Sequence, residues 1–190
     1  MIVKPILEEI KNVIKLGHYI FDETAKYELK ESCAWVQDLF NELEEEVDRE
    51  EADYEKGAIS CELSLKRKSG KPFADHLLIR GNIKAKYMAP CIKCLKLTHQ
   101  SVDADFQVCF IPQHLENEPE FEELDDIFTE NEEFDLYFHQ KGDADIAEMV
   151  HENLFINIEH FPLHDENCLG LCTECGQDLN EGTCKHQPAQ

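Results

Sequence analysis

The sequence predicts an α+β fold: a small antiparallel sheet with flanking helices and a zinc-stapled C-terminal loop region. Three observations carry that prediction. Apolar residues recur at helical spacing before Ala58 and again after Asp145. Between Ala58 and Pro112 they alternate with polar ones, the period of a half-covered strand. Thiol and imidazole side chains then crowd the last stretch, His164 to His186, and a further Cys91-Ile-Lys-Cys94 lies upstream.

In chain order, Ile6, Leu7, Ile10, Val13 and Ile14 fit one face of a helix over Pro5 to Leu16, ended by Gly17. His18 to Lys30 alternates weakly, as short strands do. Ser32 is a fitting N-cap for a helix to about Val47, with Val36, Leu39, Phe40, Leu43 and Val47 inward. Its acid-rich tail, Glu42 to Glu55, reads as a solvated helix end. Residues 1–57 thus form a helical and mixed segment packing on the sheet. Residues 58–112 form the sheet. Ile59, Cys61, Leu63 and Leu65 make one alternating run, Leu77 to Tyr87 a second, and Val102 to Phe110 a third. Lys68-Ser-Gly-Lys71 reads as the first turn, and Cys91 and Cys94 fall in the second.

Residues 113–143 read as an acidic loop, with eleven acids and no Lys or Arg from Glu116 to Asp135. Phe121, Leu124, Ile127 and Phe128 interrupt it, which also fits an acidic-aromatic segment that docks on a basic partner. Residues 144–190 hold a helix opened by Asp145-Ile-Ala-Glu148, a capping-box pattern, and then a Cys/His-rich tail after Pro162. No internal repeat stands out.

Composition narrows the function classes. The chain has 190 residues and a formal net charge of -23. That charge disfavours broad, sequence-independent binding to nucleic acid and favours a basic partner protein. Nine of the 18 Lys and Arg nevertheless lie between Lys66 and Lys96, against the single acid Asp75, so RNA contact through this patch is a second expectation. No apolar run approaches a membrane span. Nine cysteines without an export signal fit a reducing, cytoplasmic setting in which thiols bind metal or stay free. Cys33, Cys61 and Cys109 read as buried small hydrophobes.

Eight candidate metal ligands remain: Cys91, Cys94, His164, Cys168, Cys172, Cys175, Cys184 and His186. A closed structural zinc site takes four protein ligands, so eight make two sites. One partition joins Cys91 and Cys94 to His164 and Cys168, leaving Cys172, Cys175, Cys184 and His186 for the second. A rival partition builds one ribbon from the two CxxC pairs and leaves the others accessory. The first is favoured because Cys184-Lys-His186 needs a local partner. A tail of this length with few apolar side chains orders itself only with such help, so zinc binding would be its folding energy. A redox CxxC belongs at a helix N-terminus, whereas Cys91 follows a strand and Pro90. A catalytic zinc needs an open position and a base, and no residue is singled out for that role. His160 is a spare ligand candidate.

These motifs resemble a known family. Cys91-Ile-Lys-Cys94-Leu95 after an alternating strand, the run from Asp145 to Pro162, and Cys168-Leu-Gly-Leu-Cys172-Thr-Glu-Cys175-Gly-Gln-Asp-Leu-Asn180 with Cys184-Lys-His186 are similar to the YceD family, the large ribosomal RNA subunit accumulation proteins. His164 stands where many members have a cysteine, and His186 replaces the second cysteine of a terminal CxC; both swaps keep a zinc ligand. The resemblance implies a non-enzymatic role in ribosome biogenesis, with a large-subunit ribosomal protein or pre-ribosomal particle as partner; the sequence identifies no small-molecule substrate. The contrasting expectation is a zinc-dependent enzyme or CxxC redox protein.

Overall fold

The computed structural model describes residues 6–121 and 124–186. Three long strands form its frame: β3 (Ala58–Gly70), β4 (Ala74–Pro90) and β5 (Leu97–Pro112), paired antiparallel in sequence. They follow the three alternating runs, although β3 continues through the expected turn to Gly70. The sheet they begin is larger than a small antiparallel one. It has six strands in the order β2-β3-β4-β5-β7-β6, with β2 (Thr24–Lys30) on one edge.

The other edge comes from the expected acidic loop. β6 (Asp126–Thr129) and β7 (Glu132–His139) form a hairpin, and β7 runs parallel to β5. The physical reason is alternation hidden among acids: Phe134, Leu136 and Phe138 face one side while Tyr137 packs against Phe110 on the other. Phe121, Ile127 and Phe134 join Phe73, Leu78, Cys109 and Ile111 in a second core on the outer face of the sheet. The acid-rich segment is therefore built into the fold through its apolar residues.

Both helices lie on the opposite face. α1 (Ala34–Leu43) buries Val36, Leu39 and Phe40, and α2 (Ile146–Phe155) buries Ile146, Met149, Val150 and Leu154, all in the main core with Leu77, Ile79, Ile83, Val108 and Phe110. At roughly 1.5–3 kcal/mol per fully buried aliphatic or aromatic side chain, this core is the principal source of stability. The Asp145 side chain accepts a hydrogen bond from the Glu148 amide, so the start of α2 is capped as the sequence suggests. α1 starts one residue later than expected, with Cys33 rather than Ser32 at the cap and no side-chain cap bond. Its acidic tail is not wholly solvated. Glu44 is buried and accepts hydrogen bonds from the Met88 amide and the Tyr54 hydroxyl, with Arg49 beside it.

The helix expected over Pro5 to Leu16 is absent from its described part, which begins at Ile6. The chain there is extended: Leu7 bridges Tyr27, β1 (Val13–Lys15) pairs with β8 (Asp143–Asp145), and a 3-10 turn covers Leu16–His18. Ile14 and Leu16 reach the main core from this extended path. Gly81 has a packing role. It faces Phe106 across β4 and β5, and a Cβ there would lie 2.2 Å from the ring.

Candidate metal centres

The turn between β4 and β5 is a tight knuckle. The Leu95 amide donates to the Cys91 carbonyl at 2.9 Å, and the Cys91 amide donates to the Lys96 carbonyl at 2.9 Å. The tail repeats this construction. The Gly176 amide donates to the Cys172 carbonyl at 2.8 Å, and the Cys172 amide donates to the Gln177 carbonyl at 2.9 Å. In each, the residue after the second cysteine has a left-handed backbone, φ 67° at Leu95 and 72° at Gly176. Two knuckles of one geometry thus present two pairs of sulfurs. Sequence inspection misses this equivalence because leucine stands where the glycine signal is expected.

The eight candidate ligands fall into the two quartets of the favoured partition. Within each quartet, one ligand atom per residue lies within 4.8 Å of every other. The first holds Cys91, Cys94, His164 and Cys168, and the second Cys172, Cys175, Cys184 and His186. In the first, the Cys91 and Cys168 sulfurs are 3.8 Å apart, and Cys94 Sγ lies 3.2 Å from His164 Nδ1. Zinc–sulfur bonds of about 2.3 Å in a tetrahedron place sulfurs about 3.8 Å apart, so the spacing fits a metal ion. His160 belongs to neither quartet.

The first quartet is stitched to the sheet. The Ile92 amide donates to the Pro162 carbonyl at 3.0 Å, the Leu171 amide to the Lys93 carbonyl at 3.0 Å, and Lys93 Nζ to the Cys168 carbonyl at 3.2 Å. Gly170, at φ 76°, lies against Lys93 so closely that a Cβ would meet its carbonyl at 3.0 Å. Asn180 Nδ2 points at Cys168 Sγ, 3.5 Å away, and Asn180 Oδ1 accepts from the Leu169 amide. Cys91, Cys94 and Cys168 are buried with Leu163 and Leu171 packed on them. In the second quartet Cys172 is shielded, whereas Cys175 and His186 are exposed.

The thiols divide by environment. Burial opposes ionisation of Cys91, yet hydrogen bonds from His164 and from neighbouring backbone outweigh it and bring the thiol down to about 5. Cys94 is pushed up to about 11 by burial, with the sulfurs of Cys168 and Cys91 adding to it. Backbone amides at Glu174, then Cys184, bring Cys172 down to about 6, while Cys175 beside it is raised. Each quartet thus favours one thiolate and resists a second. A cation at the centre relieves that repulsion. Cys61 and Cys109 are core residues whose thiols burial pushes up to about 12, and Cys33 is likewise buried.

A charge network that the sequence does not advertise lies on the outer face. Glu130, at the β6–β7 turn, pairs with Lys66 at 3.1 Å, with Lys68, and with Arg80 at 3.3 Å; Glu132 pairs with Arg80 at 2.6 Å. Lys68 foremost holds the Glu130 carboxyl down to about 2, against an opposing burial effect and with Lys66 and Arg80 contributing. Part of the Lys66–Lys96 patch is therefore neutralised within the molecule. Arg67 is paired with Asp75, and Lys84 with Asp103.

The fold and site define a sheet-rich α+β protein whose tail shares one Cys/His quartet with the sheet and carries a second of its own. A family model described as "Large ribosomal RNA subunit accumulation protein YceD" matches residues 79–190, and the chain belongs to that family. No curated protein and no solved structure matches it. Among the described residues, no helix is long and apolar enough to cross a membrane.

Proposed function

We propose that the chain is a non-enzymatic, cytoplasmic factor that promotes accumulation or processing of large-subunit ribosomal RNA. The observation that carries this reading is the family match, which spans all eight ligands of both quartets. Its acidic surface, at a net charge of -23, suits a basic large-subunit ribosomal protein, alone or in a pre-ribosomal particle.

Each quartet would hold one zinc ion, through Cys91, Cys94, His164 and Cys168 in one and Cys172, Cys175, Cys184 and His186 in the other. Zinc would supply a tetrahedral link and the charge that keeps several thiolates together. The chain's own residues do the rest. The knuckle amides support the sulfurs, the Lys93 contacts fix the tail on the β4–β5 turn, and Leu163 and Leu171 exclude water. Four protein donors at each site favour a scaffold over a catalytic centre, which keeps a position for substrate.

Three experiments test this. Elemental analysis of reduced protein is expected to give two zinc ions per chain, with Cys91→Ser and Cys184→Ser each losing one. Depletion of the protein is expected to lower the ratio of large- to small-subunit ribosomal RNA, and affinity capture to retain a basic ribosomal protein after RNase treatment. An unchanged ratio on depletion overturns the functional reading.

A further inference from the structure

The outer face of the sheet is divided. One end is covered by the second core, and the β6–β7 turn stands at its margin. Beyond that margin lies an open groove of about 440 Å3 in which Lys26 and Arg80 stand beside the acids Glu28, Glu62 and Asp105. At the margin, Lys66 and Lys68 of β3 and Arg80 of β4 converge on the single carboxylate of Glu130. The two lysines meet one of its oxygens and Arg80 the other. Three cations around one anionic group is the arrangement that receives a phosphate.

The turn gives an independent reason to regard Glu130 as placed for its charge. Thr129 pairs with Glu132, so Glu130 and Asn131 form a two-residue hairpin loop, both left-handed at φ 53° and 66°. Asn, Asp or Gly relieves that conformation, and glutamate does not. A strained residue carrying the one carboxylate that three cations share suggests a functional demand on the side chain.

We propose that Lys66, Lys68 and Arg80 form a binding site for a backbone phosphate of RNA, occupied in this structure by the Glu130 carboxylate as an internal substitute. RNA displaces the turn, whose apolar anchors Ile127 and Phe134 stay in the second core. The proposal deepens the ribosomal RNA reading by assigning the molecule a direct RNA contact, gated by its own acidic hairpin.

The test measures binding of a 20-nucleotide single-stranded RNA to the purified, zinc-replete chain by fluorescence anisotropy across a salt series. Glu130→Gln is expected to tighten binding at least tenfold. Its logarithmic salt slope should steepen by roughly 1.4, the value for two newly available lysines on a single strand, because Arg80 stays paired with Glu132. Glu130→Gln/Glu132→Gln should tighten it further by releasing Arg80. Adding Lys66→Gln and Lys68→Gln to Glu130→Gln should return affinity and slope to those of the parent. Thermal melts check that the variants are folded, and an unfolded Glu130→Gln is replaced by Glu130→Asn, which suits the left-handed turn. Unchanged affinity and slope in the folded variant overturn the proposal. So does tighter binding of inorganic phosphate with no gain for RNA, which would mean a small-anion site. Neither result bears on the rRNA ratio after depletion, so this site can fail while the functional reading stands.

Discussion

The two quartets share a knuckle and differ in what they hold. The first joins positions far apart in the chain: Cys91 and Cys94 on the sheet, His164 and Cys168 on the tail, with the three cysteines buried under Leu163 and Leu171 and His164 half-buried. The second closes within fifteen residues of chain, Cys172 to His186, and leaves Cys175 and His186 in solvent. Ligand chemistry is nearly the same in both. The difference lies in how much other structure depends on each, and it separates a tertiary staple from a local clasp.

Breaking the first quartet is the severest test of that distinction. Structural zinc in small peptides contributes on the order of 10 kcal/mol of folding energy, but here a sheet core already exists and hydrogen bonds at Ile92, Lys93 and Leu171 also hold the tail on it, so only part of that energy is at stake. Cys91→Ser is expected to cost about 4 kcal/mol and to lower Tm by roughly 10 °C. Hydrogen exchange should accelerate through residues 163–186 and at the β4–β5 turn. Cys184→Ser should loosen the tail locally and leave the global Tm close to that of the parent. Fast exchange should then stay within residues 172–186, with the Ile92 and Leu171 amides still protected. Equal and global effects of the two substitutions, read by the same melts and exchange maps, would remove the distinction.

How much of this could be read without coordinates follows from the range of each interaction. The three long strands were legible because their alternation is local and unbroken; so was α2, because Asp145 caps it through a neighbour three residues on. The quartets were legible because cysteine spacing carries its own geometry. The N-terminal stretch reads as helix because Ile6, Leu7, Ile10 and Ile14 satisfy helical spacing. Their places are set instead by distant partners, Ile14 opposite Ala144 and the Ile10 carbonyl accepting from Trp35 Nε1. The β6–β7 hairpin is hidden in the sequence because acids mask Phe134, Leu136 and Phe138, and its salt links to Lys66, Lys68 and Arg80 span about fifty residues or more. No local pattern encodes such pairings.

Acid sharpens the comparison when metal is removed. In the chelator-treated protein, Cys91 ionises near 5 and Cys172 near 6, whereas an unfolded thiol does so near 9. The unfolded chain therefore takes up protons first as pH falls. The stability from these thiolates is complete above pH 9 and declines as pH drops through 5 for the first quartet and 6 for the second. Cys94, raised to about 11, acts oppositely above pH 9. Urea unfolding of the metal-free chain should therefore show greatest stability near pH 9 and a decline toward pH 5. Zinc-replete protein should hold its midpoint to lower pH, because the ion competes with protons for the sulfurs. A metal-free midpoint that is flat, or rises toward pH 5, would contradict the assigned thiolates.

The smallest effect isolates the knuckle from everything attached to it. Leu95 and Gly176 occupy the same left-handed position, but a leucine there costs roughly 1–2 kcal/mol of backbone strain. Leu95 is 64% exposed, so little burial is lost on removing its side chain. Leu95→Gly relieves the strain and gives back roughly 0.5–1 kcal/mol through the greater freedom of glycine in the unfolded chain. The net gain should be about 0.5 kcal/mol, visible as a slight rise in urea midpoint. Gly176→Ala adds a Cβ that meets nothing within 4 Å, so its cost of about 1 kcal/mol is conformational alone. Because the second quartet is a local clasp, that cost should appear as weaker zinc retention at the tail, about fivefold in competition with a chelator, with the global midpoint unmoved. If Gly176→Ala instead lowers the global midpoint as Cys91→Ser does, the second quartet is also tied to the sheet.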